Sequence, residues 1–182
     1  MGAMPKYGLV VDLTKCTGCA SCTVACQAQN ELEPEETWVR VEAKEEGKYP
    51  TVTRRFLVVQ CMHCDHPPCV RVCPTGANYK RRDGLVLIHE ERCIGCKYCV
   101  VACPYEARYF LEEKGIPGKC KLCQPRIDKG VQPACVLACP AGARYFGDLD
   151  DPESQVSKLI ALKKAKQLRA DVGTGPNIYY VR

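Results

Sequence analysis

No stretch of this 182-residue sequence approaches the roughly 20 consecutive apolar residues that a helix needs to cross a bilayer. Its longest apolar runs, such as FLVVQC at 56–61 and GLVLIH at 84–89, are the size of strands. No direct membrane insertion is therefore expected, and any membrane attachment would come through a partner. The start, MGAMPKYGLVVDLTKC, contains no apolar run leading to a cleavage site, because Lys6 and Asp12 interrupt it. Without an export signal of its own the chain is expected in the cytoplasm by default, with export bound to a partner left open. A dinucleotide fingerprint, a phosphate-binding P-loop and the C-x₃-C-x₂-C spacing of radical enzymes are also missing. GTGP at 173–176 lacks the strand–turn–helix context of a nucleotide loop and reads as a turn. Nothing in the sequence looks catalytic, so no enzyme activity is expected of the chain alone.

Cysteine is what the sequence has in excess, with sixteen residues. That density removes the chain from the ordinary globular class. A disulfide scaffold would call for secretion, and disulfide frameworks rarely repeat one spacing strictly. Zinc ribbons use separated pairs of cysteines, not three at tight spacing with an offset fourth.

The cysteines fall into four quartets. They are Cys16, Cys19, Cys22 and Cys26; Cys61, Cys64, Cys69 and Cys73; Cys93, Cys96, Cys99 and Cys103; and Cys120, Cys123, Cys135 and Cys139. In each, three cysteines are followed by one more after a gap of three residues, and in three quartets a proline follows directly: Pro74, Pro104 and Pro140. CPTGANY, CPYEARYF and CPAGARYF extend the repeat with a shared alanine and an aromatic two residues later. Apolar runs (YGLVVD, RFLVVQ, GLVLIH) stand ahead of the cysteines, so each unit reads as strand, cluster loop, short helix, strand. This is the bacterial ferredoxin run, in which the fourth cysteine ligates the other cluster of a pair. Three thiolates on a tight loop cap three corners of a cubane, and the fourth is carried away on a helical turn. Spacing alone permits exchange between consecutive quartets or between nested ones.

At these residues the chain resembles the four-cluster ferredoxin-like electron-transfer (beta) subunits of molybdenum and tungsten pterin oxidoreductases. These include subunits of dimethyl sulfoxide, polysulfide, tetrathionate and arsenate reductases and of formate dehydrogenases. It is similar also to polyferredoxin subunits of tungsten aldehyde oxidoreductases and benzoyl-CoA reductases. The match runs from VVDLTKCTGC through CMHCDHPPC to GTGPNIYYVR. The resemblance implies that the first quartet exchanges with the fourth and the second with the third. Cys16, Cys19, Cys22 and Cys139 would then hold one cluster, and Cys26, Cys120, Cys123 and Cys135 its neighbour. Cys61, Cys64, Cys69 and Cys103 would hold a third, and Cys73, Cys93, Cys96 and Cys99 a fourth. Some relatives lose a cysteine from the third quartet; here all of them are present, implying four [4Fe–4S] clusters. The family also implies a larger molybdenum or tungsten pterin subunit as partner, with the Cys16 cluster nearest to it, and room for a third, membrane or flavin, subunit. The alternative is a freestanding polyferredoxin carrier.

The expected fold class is α+β: two tandem bacterial-ferredoxin-like (βαββαβ) dicluster modules with hairpin insertions and a C-terminal helix. One unit, 1–182, would comprise a first module from 1–36 with 112–150, a second from 56–111, and a helix and tail at 151–182. QAQNELEPEE reads as a polar connection, TWVRVEAKEEGKYPTVTRRFLVV as two strands around EEGKYP, and YKRRDGLVLI as a hairpin turning at Asp83-Gly84. Trp38 reads as core. His63 and His66 read as neighbours of a cluster or helix-end polar groups, because the cysteine count is already complete, and His89 as a residue without special role. DPESQVSKLIALKKAKQLRA reads as one helix starting at Pro152 and Glu153, with Val156, Leu159, Ile160 and Leu168 as its buried stripe. Lys158, Lys163, Lys164, Lys166 and Arg169 would form a basic face on it.

The formal charge of +5 treats cysteine as neutral. Four [4Fe–4S]²⁺ clusters on sixteen thiolates would add about −8, bringing the loaded chain near −3, so no nucleic-acid partner is expected. An anaerobically reconstituted preparation is expected to be brown, with about sixteen iron and sixteen labile sulfide per chain. A value near twelve in the iron and sulfide assay would mean one quartet is used otherwise, and zinc in place of iron would refute the ligation.

Overall fold

The computed structural model describes residues 4–182; residues 1–3, included in the expected unit 1–182, lie outside the described residues. In chain order, β1 (Tyr7–Asp12) leads into the first cysteine loop and α1 (Ser21–Asn30). The hairpin β2 (Val39–Glu46) and β3 (Thr53–Gln60) follows, then the second loop, α2 (Pro68–Arg71) and β4 (Asn78–Lys80). β5 (Val86–Ile88) pairs with β4 and leads through the third loop to α3 (Tyr98–Val101), β6 (Tyr109–Leu111) and β7 (Ile116–Gly118). The fourth loop carries α4 (Gln124–Ile127) and α5 (Ala134–Leu137) and ends in β8 (Arg144–Asp148). α6 (Gln155–Lys163), β9 (Lys166–Gln167) and β10 (Ile178–Val181) complete an α+β chain of short helices and small sheets.

Strand, loop, short helix and strand recur as the apolar runs predict. Both predicted hairpins are present: β2 pairs with β3 from Val39↔Gln60 to Glu46↔Thr53, and β4 with β5 from Asn78↔Ile88 to Lys80↔Val86. Asp83 and Gly84 lie in the second turn, where the Arg81 carbonyl accepts from Gly84 N–H at 3.1 Å. QAQN, read as connection, instead forms the last turn of α1.

The only sheet with more than two strands among the described residues has the order β8-β1-β10-β9. β1 lies antiparallel to β8 and parallel to β10, so the two ends of the chain meet in one sheet. Both faces of β1 are covered. Leu9 and Val11 join Ile178, Tyr180 and the cysteine-rich core, while Val10 packs with Val156 and Val181 under α6. Trp38 is buried in the main core, and His89 stacks on Tyr79 with ring centroids 4.1 Å apart.

The C-terminal segment differs from its prediction. Ser154 caps α6, accepting from Ser157 N–H at 3.2 Å, and Lys164 ends it in a left-handed conformation at φ 48°. Lys166 and Gln167 then turn into β9, which pairs with Tyr180 and Tyr179. One straight helix could not bury the predicted stripe, because Val156 packs on one side of the sheet and Leu168 on the other. The open edge of β10 takes the chain instead. The basic face is dispersed accordingly. Lys158 pairs with Glu153 at 2.7 Å, and Lys163 reaches Asp12 at 2.6 Å.

Asp12 is fully buried at the end of β1. Burial pushes its carboxyl up, but hydrogen bonds from Lys163 and Thr14 outweigh that and hold it below the ordinary carboxylate range. The pair therefore stabilises the fold at neutral pH, a contribution lost as pH falls through the lowered carboxyl pKa. Lys163→Met is expected to cost about 1–3 kcal/mol, read as a lower midpoint for thermal loss of visible absorbance at neutral pH. An unchanged midpoint would show that α6 is held by its apolar contacts alone.

Candidate iron–sulfur sites

Each cysteine loop bends in the same place. The residue between the first two cysteines and next to the second is left-handed in all four: Gly18 (φ 72°), His63 (φ 45°), Gly95 (φ 68°) and Leu122 (φ 55°). In two loops glycine makes this conformation easy. His63 and Leu122 adopt it against their steric preference, and both are almost wholly buried, held by their surroundings. A left-handed residue in such a loop turns neighbouring backbone N–H groups toward one side, a concavity suited to an anion or an iron–sulfur centre. Three of the four last cysteines share a second bend: Gly76, Glu106 and Gly142, three residues after Cys73, Cys103 and Cys139, are also left-handed, whereas Cys26 lies inside α1. The same turn points backbone N–H groups at sulfur, with Asn78 N–H 3.4 Å from Cys73 Sγ and Ala143 N–H 3.3 Å from Cys139 Sγ.

The thiols gather into rings. Cys16, Cys19, Cys22 and Cys139 line one small void. Cys61, Cys64, Cys69 and Cys103 line another, and Cys73, Cys93, Cys96 and Cys99 a third. In the remaining group, α1, which carries Cys26, packs on α5, which carries Cys135; Cys26, Cys120 and Cys135 share one buried cluster, and Cys123, also buried, stands three residues after Cys120. Leu122 N–H donates to Cys120 Sγ at 3.4 Å, and Asn30 Nδ2 lies 3.5 Å from Cys26 Sγ. These groups are called rings one (with Cys16), two (with Cys26), three (with Cys61) and four (with Cys73). Among the described residues no three His, Cys, Asp or Glu side chains close round a metal ion. The rings surround voids instead, a spacing that suits a bulky multi-iron group.

Exposure differs between rings. Cys19 in ring one and Cys96 in ring four are exposed, while every cysteine of ring two is buried and ring three is buried but for half-covered Cys103. Burial pushes the Cys26 and Cys64 thiols up to about 12, so ligation there depends on bound metal to draw off the proton. Cys19 is lowered by hydrogen bonds from Ser21.

Buried polar groups stand against the rings. Arg144 is buried, lines ring one and places Nη2 3.4 Å from Cys135 Sγ in ring two, while its Nε and Nη1 have no partner. Arg108 is buried on the wall of ring three with both terminal nitrogens unpartnered. Unpartnered buried N–H groups are costly in a folded protein, and sulfur-rich anions in the adjacent voids would satisfy them. Lys119, also buried, donates to Val86 O, on the wall of ring three, and at 2.9 Å to Cys120 O, which ties ring three to ring two. Sequence reasoning passed over all three residues. For the arginines the signal was visible: each stands five places after the last cysteine of its quartet, in the shared ARYF.

The histidines adjoin the second loop without adding a ligand. His63 accepts Val86 N–H at Nδ1 (3.0 Å), and burial first, then Lys119, lowers its pKa well below the ordinary value and keeps the ring neutral. His66 gives its backbone N–H to the Thr174 carbonyl at 2.9 Å. The GTGP turn packs against this loop, with Asp65 N–H donating to Gly175 O at 2.7 Å, and Asn177 Nδ2 donates to His63 O at 2.8 Å.

Four cysteine rings on repeated ferredoxin-type loops define an iron–sulfur protein. Comparison with known families narrows this: residues 15–77 and 52–149 each match a 4Fe-4S dicluster domain. The chain belongs to the 4Fe-4S dicluster family and carries four [4Fe–4S] clusters. A selenate reductase subunit of Mesobacillus selenatarsenatis is 41% identical over 97% of this chain and 72% of that protein. The arsenate respiratory reductase iron-sulfur subunit of Shewanella sp. ANA-3 is 37% identical over 97% and 96%. One of the polysulfide reductase polypeptides of Wolinella succinogenes is 37% identical over 97% and 94%.

Proposed function

We propose that this chain is an electron-transfer iron–sulfur subunit, relaying single electrons through four [4Fe–4S] clusters to or from the catalytic subunit of a reductase complex. The observation that carries this reading is the gradient of exposure: two rings with an exposed cysteine, Cys19 and Cys96, and two rings buried between them. That is the layout of a conduit with two open ends. Ring one meets ring two at Arg144, ring two meets ring three at Lys119, and Cys69 of ring three packs with Cys99 of ring four. Bound in the rings, [4Fe–4S] clusters take up and release one electron at a time. The chain supplies the thiolates, N–H groups aimed at sulfur, and apolar walls that exclude water.

The ligand sets we assign are Cys16, Cys19, Cys22 and Cys139; Cys26, Cys120, Cys123 and Cys135; Cys61, Cys64, Cys69 and Cys103; and Cys73, Cys93, Cys96 and Cys99. Voids lined by the first, third and fourth sets, and the packing of α1 on α5 that brings Cys26 into one buried cluster with Cys120 and Cys135, support them. Two βαββαβ modules fit this exchange, one from 1–36 with 112–150 and the other from 56–111, with 151–182 as helix and tail; the β1–β8 pairing supports the first. The names of the relatives point to a reductase as the complex, and we assign the catalytic partner to the molybdenum or tungsten pterin enzymes, with a third, membrane or flavin, subunit beyond ring four.

Cys26→Ser is expected to alter the cluster held with Cys120, Cys123 and Cys135 and to spare the one held by Cys16, Cys19 and Cys22. Spectroscopy of the variant with a structure that locates the altered cluster is the test, and loss confined to the Cys16 cluster would refute the exchange. The native chain is further expected to purify in a stable assembly with a larger pterin-containing subunit. Purification alone, with the reduced form serving several unrelated acceptors at similar rates, would replace the subunit by a freestanding polyferredoxin.

A further inference from the structure

The two buried arginines of the repeat occupy equivalent places between neighbouring rings. Arg144 lines ring one and hydrogen-bonds Cys135 of ring two. Arg108 lines ring three beside Cys61 and Cys69, and Cys69 packs directly on Cys99 of ring four, which puts the guanidinium next to the junction of the two rings. Each follows the last cysteine of its quartet by five residues, after an alanine and before a tyrosine. In the second quartet the same place holds Asn78, and the pattern therefore yields one arginine per pair of rings. Neither guanidinium has a carboxylate partner among the described residues: Arg144 bonds Gln60 and Cys135, and Arg108 leaves both terminal nitrogens free of protein acceptors. An arginine is always charged, and a buried charge without a counter-ion is strongly unfavourable. Its presence makes physical sense where the counter-charge is a reducible cluster.

We infer that Arg144 and Arg108 are the shared counter-charges of the two cluster pairs, Arg144 setting the reduction potentials of rings one and two together and Arg108 those of rings three and four. A fixed positive charge in a low-dielectric interior favours the reduced, more negative state of each cluster it faces. Because one guanidinium faces two clusters, it raises both potentials together and so adds no step between them. It also weakens repulsion when both are reduced. Arg144 Nε and Nη1 and both terminal nitrogens of Arg108 are buried without a protein acceptor, which leaves them free to hydrogen-bond cluster sulfur as well as to supply charge.

This inference rests on the reading of the rings as cluster sites, and the experiment separates the two. The full chain, loaded anaerobically, is assayed for iron and sulfide and titrated with a reductant under EPR. Arg144→Met is expected to shift two of the four midpoint potentials downward and leave the other two in place. Arg108→Met should shift the complementary two, and Arg144→Lys and Arg108→Lys should return the potentials toward their original values. Four intact clusters with unmoved potentials, equal shifts in all four, or the same shift in Lys and Met variants would overturn the inference while leaving the cluster reading intact. A wild-type chain that does not hold four reducible clusters would overturn both. Should a Met variant fail to assemble, the wild-type chain labelled with ¹⁵N-arginine decides. Arginine nitrogen coupling is expected in the electron spin echo of every reduced cluster, and a cluster pair without it would refute the role of the arginine assigned to that pair.

Discussion

Negative charge taken out of water is the constraint on which the rest of this structure depends. Four thiolates and a [4Fe–4S]²⁺ core leave each site with about −2, and two of the four rings have every or nearly every cysteine buried. Burial drives the Cys26, Cys64 and Cys120 thiols upward, away from the ionised form that ligation requires. Ligated metal supplies most of the compensation, and the fold supplies the remainder. Backbone N–H groups approach Cys73, Cys120 and Cys139, and Arg144 and Arg108 put full positive charges beside the rings. Of the 26 basic residues of the chain, Arg108, Lys119 and Arg144 are buried against the rings, so part of the +5 formal charge is directed at its own cofactors.

The same constraint explains the small size of the regular elements. Four of the helices, α2, α3, α4 and α5, have four residues each and are too short to form a core of their own. α2, α3 and α5 each carry a cysteine in (Cys69, Cys99 and Cys135), while α4 starts just after Cys123 and turns the chain away from it. Order comes from the cysteine loops and from the sheet in which β1 meets β10. The tail adds a second tie, since residues 174–177 bond the backbone of the second loop at Met62, Asp65 and His66. Tyr180 then donates to Val58 O at 2.8 Å, fastening the last strand to the β2–β3 hairpin. These ties join the strands to the cluster of apolar and cysteine side chains in which Leu9, Val58, Met62 and Tyr180 pack beside Cys22, Cys61 and Cys120.

Legibility in the sequence followed the physics of each element. Loops and hairpins were readable because their signals are local: a fixed cysteine spacing, an apolar run of strand length, Asp83-Gly84 at a turn. The C-terminal helix was misread in its second half because its ending is not local. Nothing in KKAKQLRA announces that the edge of β10 is free to accept Lys166 and Gln167, or that Leu168 belongs to the opposite side of the sheet from Val156. The buried arginines were missed for another reason. Arg108 and Arg144 are embedded in the repeat, yet arginine is ordinarily a surface residue, and only the rings give it cause to be inside. Lys119 carries no repeat signal at all; its burial depends on the meeting of Cys120 with Val86.

The arrangement of the rings argues for a fixed wire over a diffusing carrier. A carrier gains from each cluster that can meet a partner at the surface, and clusters hidden behind others only lengthen the route. Here the exposed cysteines belong to different rings, Cys19 to the first and Cys96 to the fourth, and all cysteines of the second are covered. Ring two is useful only if an electron arriving at one side of the molecule must leave at another. The surroundings of the two ends differ as well. Beside Cys16 lies a groove of about 580 Å³ bordered by Phe56, Leu57, Arg54 and Arg182, whereas Cys96 is flanked by the exposed apolar side chains of Ile94 and Tyr98. Two unlike ends joined by buried centres impose a direction on recognition, even though each cluster can pass an electron either way.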